Sequence, residues 1–269
     1  LYYGLQAIFD TGNKGAEMAM LEEIERFLNH ELAVDMISDY MPNGVQVRGQ
    51  PVVNRVVTGV SACVDLFDAA IAQQADLVLV HHGMFWEKEP RIVEGSMKQR
   101  LLRLLQHDMT LMAYHLPLDS HAVYGNNAQI LAHLELKPEQ PFGHYRGRTL
   151  SWIGSFAAPV AIEAVMTLAG RVFGGQPQVI PHGRTTIVRV AVCSGGAPEL
   201  VREAKQAGAD LFITGEMSEP LFHYAKEEAI NVIVAGHHRT EKFGVQALGA
   251  LLERRFGVQH RFVDINNPA

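Results

Sequence analysis

The sequence predicts an α/β protein built from two related halves, and three observations predict it. Short aliphatic runs, Leu77-Val78-Leu79-Val80 and Val232-Ile233-Val234-Ala235 among them, read as strands buried on both faces. Such runs alternate with helical periods: a strand over residues 55–60, the small-residue loop Ser61-Ala62, a helix over 64–74 with Leu66, Phe67, Ala70 and Ile71 apolar, then the strand at 77. That order makes a βαβ unit, which implies parallel neighbouring strands and helices on the sheet faces. The pattern then restarts. At an offset of 134 residues Arg55 falls on Arg189 and Ala75-Asp76-Leu77 on Ala209-Asp210-Leu211; at 122, His115 and Asp119 fall on His237 and Glu241.

In chain order, residues 1–17 show no clear period and are expected to be an N-terminal extension, with Met18 or Met20 as the natural start. A helix over 18–30 with Leu21, Ile24, Phe27 and Leu28 on one face opens the first half, expected to span 18–136. Pro42 and Asn43-Gly44 punctuate a turn before a short strand at Val45-Gln46-Val47. Beyond the strand at 77 come a loop with Met84-Phe85-Trp86, a helix over 96–107, a strand over 110–114 and a helix over 127–134. Residues 137–185 carry a strand-helix-strand pattern and are expected to form a short connecting subdomain, leaving 186–269 as the second half.

Composition narrows the classes. At 269 residues and 48% hydrophobic, the chain can bury a large core. A net charge of −6 argues against a general nucleic-acid or membrane-surface partner, since both are polyanionic; a local basic patch stays open. Cys63 and Cys193 are too few for a disulfide framework, which fits a reducing, cytoplasmic compartment. No stretch reaches 18 uninterrupted apolar residues, and no basic-then-apolar leader pattern is visible.

The chemistry gathers at predicted strand ends. His81-His82-Gly83 follows one aliphatic run and His237-His238 another, while His115 closes a third strand with Asp119 after it. In a doubly wound sheet the loops at the carboxyl ends share one side, so His81, His82, His115, Asp119, His237 and Glu241 can meet there, with His238 and Glu216 as further candidates. These are too many donors for one tetrahedral zinc. They suit two divalent ions about 3.5–4 Å apart sharing a bridging carboxylate. Imidazole with carboxylate favours Zn, Mn, Fe, Co or Ni over Ca or Mg. Adjacent side chains on a strand point to opposite faces, so His81 and His82 can both serve only if the strand ends at Gly83. Glu216 reads equally as a base, as a partner to the site, or as a cap of the helix from Ser218. Ser194-Gly195-Gly196 reads as a tight turn in preference to a phosphate cradle, lacking the lysine of a nucleotide-binding loop.

Asp39-Tyr40, Pro42-Asn43-Gly44-Val45-Gln46-Val47, Val80-His81-His82-Gly83, His115-Leu116-Pro117-Leu118-Asp119, Thr214-Gly215-Glu216, Ala235-Gly236-His237-His238 with Thr240-Glu241, and Asp264-Ile265-Asn266-Asn267-Pro268 stand in this order. Together they resemble the Nif-three-like dinuclear-metal family, the GTP cyclohydrolase type 2 homologues, in its short bacterial branch. The resemblance implies a three-layer α/β/α fold with two duplicated halves and a ring-shaped homohexamer. It implies His81, His82, Asp119, His237 and Glu241 as metal ligands, Glu241 bridging, with His115 outside the ligand set or acting as acid/base. The expected function is hydrolysis of a small-molecule, nucleotide-like substrate by a metal-bridged hydroxide, with His115 or Glu216 moving protons. Phosphoester hydrolysis and a non-enzymatic metal-binding assembly protein are the alternatives.

Overall fold

The computed structural model describes residues 18–145 and 148–269, so the extension expected over 1–17 lies outside the described residues. The first half runs α1 (Leu21–Glu31), β1 (Gly44–Val47), β2 (Arg55–Ser61), α2 (Val64–Ala72), β3 (Leu77–His82), α3 (Gly95–Gln106) and β4 (Thr110–Ala113), then α4 (Leu116–Ser120) and α5 (Asn126–His133). Next come β5 (Gln140–Tyr145), β6 (Arg148–Ala161), α6 (Ile162–Phe173), β7 (Gln178–Pro181), β8 (Thr186–Cys193), α7 (Val201–Gln206), β9 (Leu211–Thr214), α8 (Glu219–Glu227) and β10 (Asn231–Val234). The chain closes with α9 (His237–Thr240), α10 (Lys242–Phe256) and β11 (Gln259–Phe262).

These strands form two sheets, one ordered β1-β4-β3-β2-β11 and one ordered β5-β6-β8-β9-β10-β7. In the first, β4, β3, β2 and β11 are parallel and β1 is an antiparallel edge. In the second, β8, β9 and β10 are parallel, β7 is an antiparallel edge on one side, and β6 and β5 add antiparallel pairings on the other. Helix α6 and strand β7 thus stand to the second sheet as α1 and β1 stand to the first. The stretch 137–185, read from the sequence as a connecting subdomain, contains these two elements as well as β5 and β6, which extend the second sheet on its other side.

The repeated Ala-Asp has a physical reason. Asp76 Oδ2 accepts the backbone N–H groups of Asn54 and Arg55 at 2.7 and 2.9 Å, and Asp210 Oδ2 accepts those of Val188 and Arg189 at 3.0 Å each. In both halves the carboxylate before the middle strand satisfies the orphan donors where its neighbour enters the sheet.

Alternation along β3 explains its apolar run. Leu77 and Leu79 pack into the cluster under α1 and α10, while Val78 and Val80 pack into the one under α2 and α3. The second sheet is covered in the same way, by α5 and α6 on one face and by α7 and α8 on the other. Each side chain so buried contributes about 1.5–3 kcal/mol. No helix among the described residues is long and apolar enough to cross a membrane.

Strand β11 returns from the second half to pair with β2, and α10 packs on the same sheet. Gly249 of α10 lies so close to His260 of β11 that a Cβ there would run into the imidazole, which itself bonds Thr58 Oγ1 at 2.9 Å. Gly249→Ala is therefore expected to lower the unfolding free energy in urea by about 1–3 kcal/mol through overpacking, although alanine is the better helix former.

Candidate metal centre

Every candidate side chain enters from the carboxyl end of a parallel strand. His81 and His82 finish β3, His115 follows β4, Glu216 follows β9, and His237 follows β10. The sequence reading has these ends meeting along one sheet; the structure brings them together from two sheets whose carboxyl edges line one cavity. The two His-x-x-x-acid elements become single helical turns, α4 and α9, with their flanking residues. One turn brings i and i+4 to one face, which sets Asp119 near His115 and Glu241 beside His237.

Glu241 lies at the middle. Its Oε2 is 3.2 Å from His82 Nε2 and 3.1 Å from His237 Nε2, and its Oε1 is 3.5 Å from His81 Nε2. Asp119 approaches His81 Nε2 from another side, with Oδ2 at 3.4 Å, while Oδ1 accepts from Asn126 Nδ2 at 2.9 Å and Ser194 Oγ at 3.3 Å. The strand does end before Gly83, with His82 as its last residue, paired with Ser61, and the His81 and His82 rings lie 4.8 Å apart, each reaching one oxygen of the same carboxylate. Gly195, at φ +66°, passes so near that a Cβ would collide with Glu241.

Each imidazole is oriented from behind. His81 Nδ1 donates to the Tyr114 carbonyl at 2.9 Å, and His82 Nδ1 lies 3.0 Å from Ser61 Oγ. His115 Nδ1 lies 3.0 Å from Asp39 Oδ1, and His237 Nδ1 lies 2.5 Å from Glu216 Oε1. A partner on Nδ1 fixes the ring and turns Nε2 toward the centre. Asp39 is held in turn by the N–H groups of Tyr40 and Leu116 and by Asn43 Nδ2.

The donor set fits divalent metal. His81 Nε2 and Glu241 Oε2 are buried and make no hydrogen bond. With Nδ1 committed to a carbonyl, a neutral His81 would aim the Nε2 lone pair at two carboxylates; a cation between them removes that conflict. Ligand atoms of His81, His82 and His115 lie within 4.8 Å of one another, and so do those of His82, His237 and Glu241. Among the described residues these two groups could each hold an ion, and they share His82.

Charge follows burial and neighbours. Burial alone would raise the Glu241 carboxyl, yet His82, His81 and His237 hold it well below the usual carboxylate range. Burial, against the pull of Glu241, pushes His82 down to about 3. Burial opposes the charge on His81, but Asp119 and Glu241 raise it well above the ordinary imidazole value. The adjacent Glu241 carboxylate, with help from Glu216, lifts His237 to about 9 against the cost of burial.

The structure thus gathers His81, His82, Asp119, His237 and Glu241, and it brings His115 equally close, into the group with His81 and His82. Glu216 contacts His237 and does not cap α8, whose N-cap Ser218 makes no side-chain cap. His238 turns away to Asp264, 2.9 Å from its Nε2. The Ser194-Gly195 turn spends its amides on Asn127 Oδ1 and Thr240 Oγ1, which leaves neither for a phosphate. The sequence places Asp39 in a motif without a role and Ser194 only in a turn, and it gives no role to Ser61 or Asn126. Asn126-Asn127, two fully buried amides opening a helix, was the available signal for one of them.

A family model described as Duf34/NIF3 (NGG1p interacting factor 3) matches residues 19–268. The chain is 43% identical to a Pseudomonas aeruginosa protein named GTP cyclohydrolase 1 type 2 homolog, over 93% of this chain and 97% of that one. A Yersinia pestis protein of the same name is 42% identical over 92% and 98%. Among solved structures, protein ybgI, described as of unknown function, superimposes with a TM-score of 0.88 at 38% identity, covering 93% of this chain and all of that one. TTHA1606 from Thermus thermophilus gives 0.84 at 34% identity, with the same coverage.

In chelator-treated protein His237 should titrate near pH 9, and Glu216→Gln should bring that midpoint down, though Glu241 still keeps it above 6.5. Imidazole nitrogen shifts in NMR read the change directly. Because the folded pKa is raised, the stability that protonated His237 contributes to this metal-free form is complete below about pH 6.5 and fades as pH climbs to about 9.

Proposed function

This chain belongs to the Duf34/NIF3 family, and from that premise we propose that it is a hydrolase whose centre holds two divalent metal ions and acts on a nucleotide-like small molecule. The observation that carries this reading is Glu241: a buried carboxylate with one oxygen between two imidazole nitrogens, the other facing a third, and no hydrogen bond to its Oε2. His82, His237 and Glu241 would hold one ion, and His81, Asp119 and Glu241 the other. Bound there, the ions would supply Lewis acidity toward water and a substrate oxygen.

The chain's own residues do the rest. His115, anchored to Asp39 through Nδ1, keeps Nε2 available on the cavity side to take up or release a proton. Its ring sits edge-on to Tyr40 and Trp86, with centroids 5.1 and 5.3 Å away, and these rings exclude water from that flank. Glu216 steadies His237 and so the position of Nε2. Two free thiols suit a cytoplasmic setting. The homohexamer belongs to the same proposal; Phe85, Ile92 and Val93, apolar and exposed after β3, support an interface there.

Elemental analysis of purified protein is expected to find two divalent ions per chain, and Glu241→Ala to lose them while keeping its far-UV spectrum. Assayed against GTP ring opening and a panel of phosphoesters, the variant should fall by at least about 100-fold on whichever substrate the wild type turns over. Activity that survives the substitution overturns the hydrolytic reading, and metal retained without turnover of either class favours a binding protein. Sedimentation equilibrium should show a hexamer; a monomer overturns that part.

A further inference from the structure

We propose that Arg100 anchors an oxyanion of the substrate, a phosphate or a carboxylate, in the cavity that opens onto the metal centre. This deepens the proposed function and rests on that cavity being the substrate site. The cavity, about 840 Å³, is lined by His82, His115, His237 and Glu241 of the metal centre and also by Trp86 and Arg100. Among the described residues lining it, Arg100 is the one lysine or arginine. Its Nε is buried from solvent without a hydrogen-bond partner, and no ion pair or hydrogen bond of its guanidinium is found among the described residues.

The same helix shows what a satisfied arginine looks like. Arg103, three residues on, grips Asp68 with Nε at 2.5 Å and Nη2 at 3.1 Å. Burying part of a guanidinium without a partner is costly, and natural proteins keep such groups where a ligand completes them. A guanidinium presents a planar fork that matches the oxygens of phosphate or carboxylate two at a time. The carboxylates of Glu89, Glu199 and Glu216 also line the cavity and repel an anion, which leaves the Arg100 guanidinium as the favourable place for an oxyanion. The reacting end of such a substrate then points toward the histidines.

The test uses the full chain stripped of metal by chelation, so that no ion competes for the anion. Titration calorimetry at constant ionic strength, with inorganic phosphate in one arm and acetate in the other, is run on wild type, Arg100→Gln, Arg100→Lys and Arg91→Gln. Saturable binding is expected for wild type, weakened about tenfold or more by Arg100→Gln, as fits the loss of a charge-assisted bond. Arg100→Lys should lie between, and Arg91→Gln, which alters an exposed charge on the loop before α3, should match wild type. The arm that binds tighter says which oxyanion the substrate carries. Wild type without saturable binding in either arm, or Arg100→Gln binding as tightly, overturns the proposal. A purely structural role would lower the Tm of Arg100→Gln and leave the anion affinity unmoved. Failure here leaves the metal reading standing, because the measurement contains no metal.

Discussion

Glu241 is 4% exposed, and a carboxylate that deep is tolerated only where opposite charge or a cation compensates its lost hydration. The local structure is arranged around that constraint. The turn α9 delivers Glu241 beside His237, Thr240 ties the turn back to the Gly195 amide, and Gly195 has no side chain to block the approach. From the first half, His81 and His82 meet the same carboxylate across the gap between the sheets. Three imidazoles around one buried carboxylate form a strong electrostatic cluster, and a bound cation would satisfy the lone pairs left unpaired there.

A second regularity lies behind the ligand atoms. All four imidazoles at the centre have Nδ1 occupied: by a carbonyl at His81, a hydroxyl at His82, and carboxylates at His115 and His237. A partner on Nδ1 fixes the orientation of each ring and leaves Nε2 facing the centre. His115 and His237 are the two backed by carboxylates. They come from corresponding places in the two halves, after β4 and after β10, so the duplication supplies a matched pair of carboxylate-backed imidazoles on either side of the centre.

Much of this was legible in the sequence because it is periodic or local. Alternation in β3, the Ala-Asp before each middle strand and the i,i+4 His-acid spacing are short-range patterns, and the structure gives each a direct physical cause. The position of α6 and β7 was not legible. Their equivalence to α1 and β1 is one of topology without a shared sequence pattern, and antiparallel edges are set by pairing partners that a linear reading does not see. The same blindness hid the role of Asp39, which stands 76 residues from the histidine it orients. It also hid the second sheet, since strand order and sheet membership depend on contacts such as β11 with β2 that span the whole chain.

The two halves are not equivalent at the site, and the asymmetry explains why neither could host it alone. Where the first half ends its middle strand in His81-His82, the second ends in Gly215-Glu216. Among the described residues Glu216 contacts the cluster through His237, and Gly215 is packed so tightly against Gly195 and His237 that a Cβ would not fit. One copy has become the source of buried imidazoles and the other the source of the central carboxylate and its supports. Assembly of the centre then depends on the docking of one sheet against the other, which α10 and β11 enforce by carrying the end of the second half back onto the first. Gly244 of α10 makes the coupling concrete: its N–H donates to Asn126 Oδ1 at 2.7 Å, while Asn126 Nδ2 holds Asp119. The helix that joins the halves thereby also positions a carboxylate at the centre, so a displacement of α10 would reach Asp119 through a single side chain.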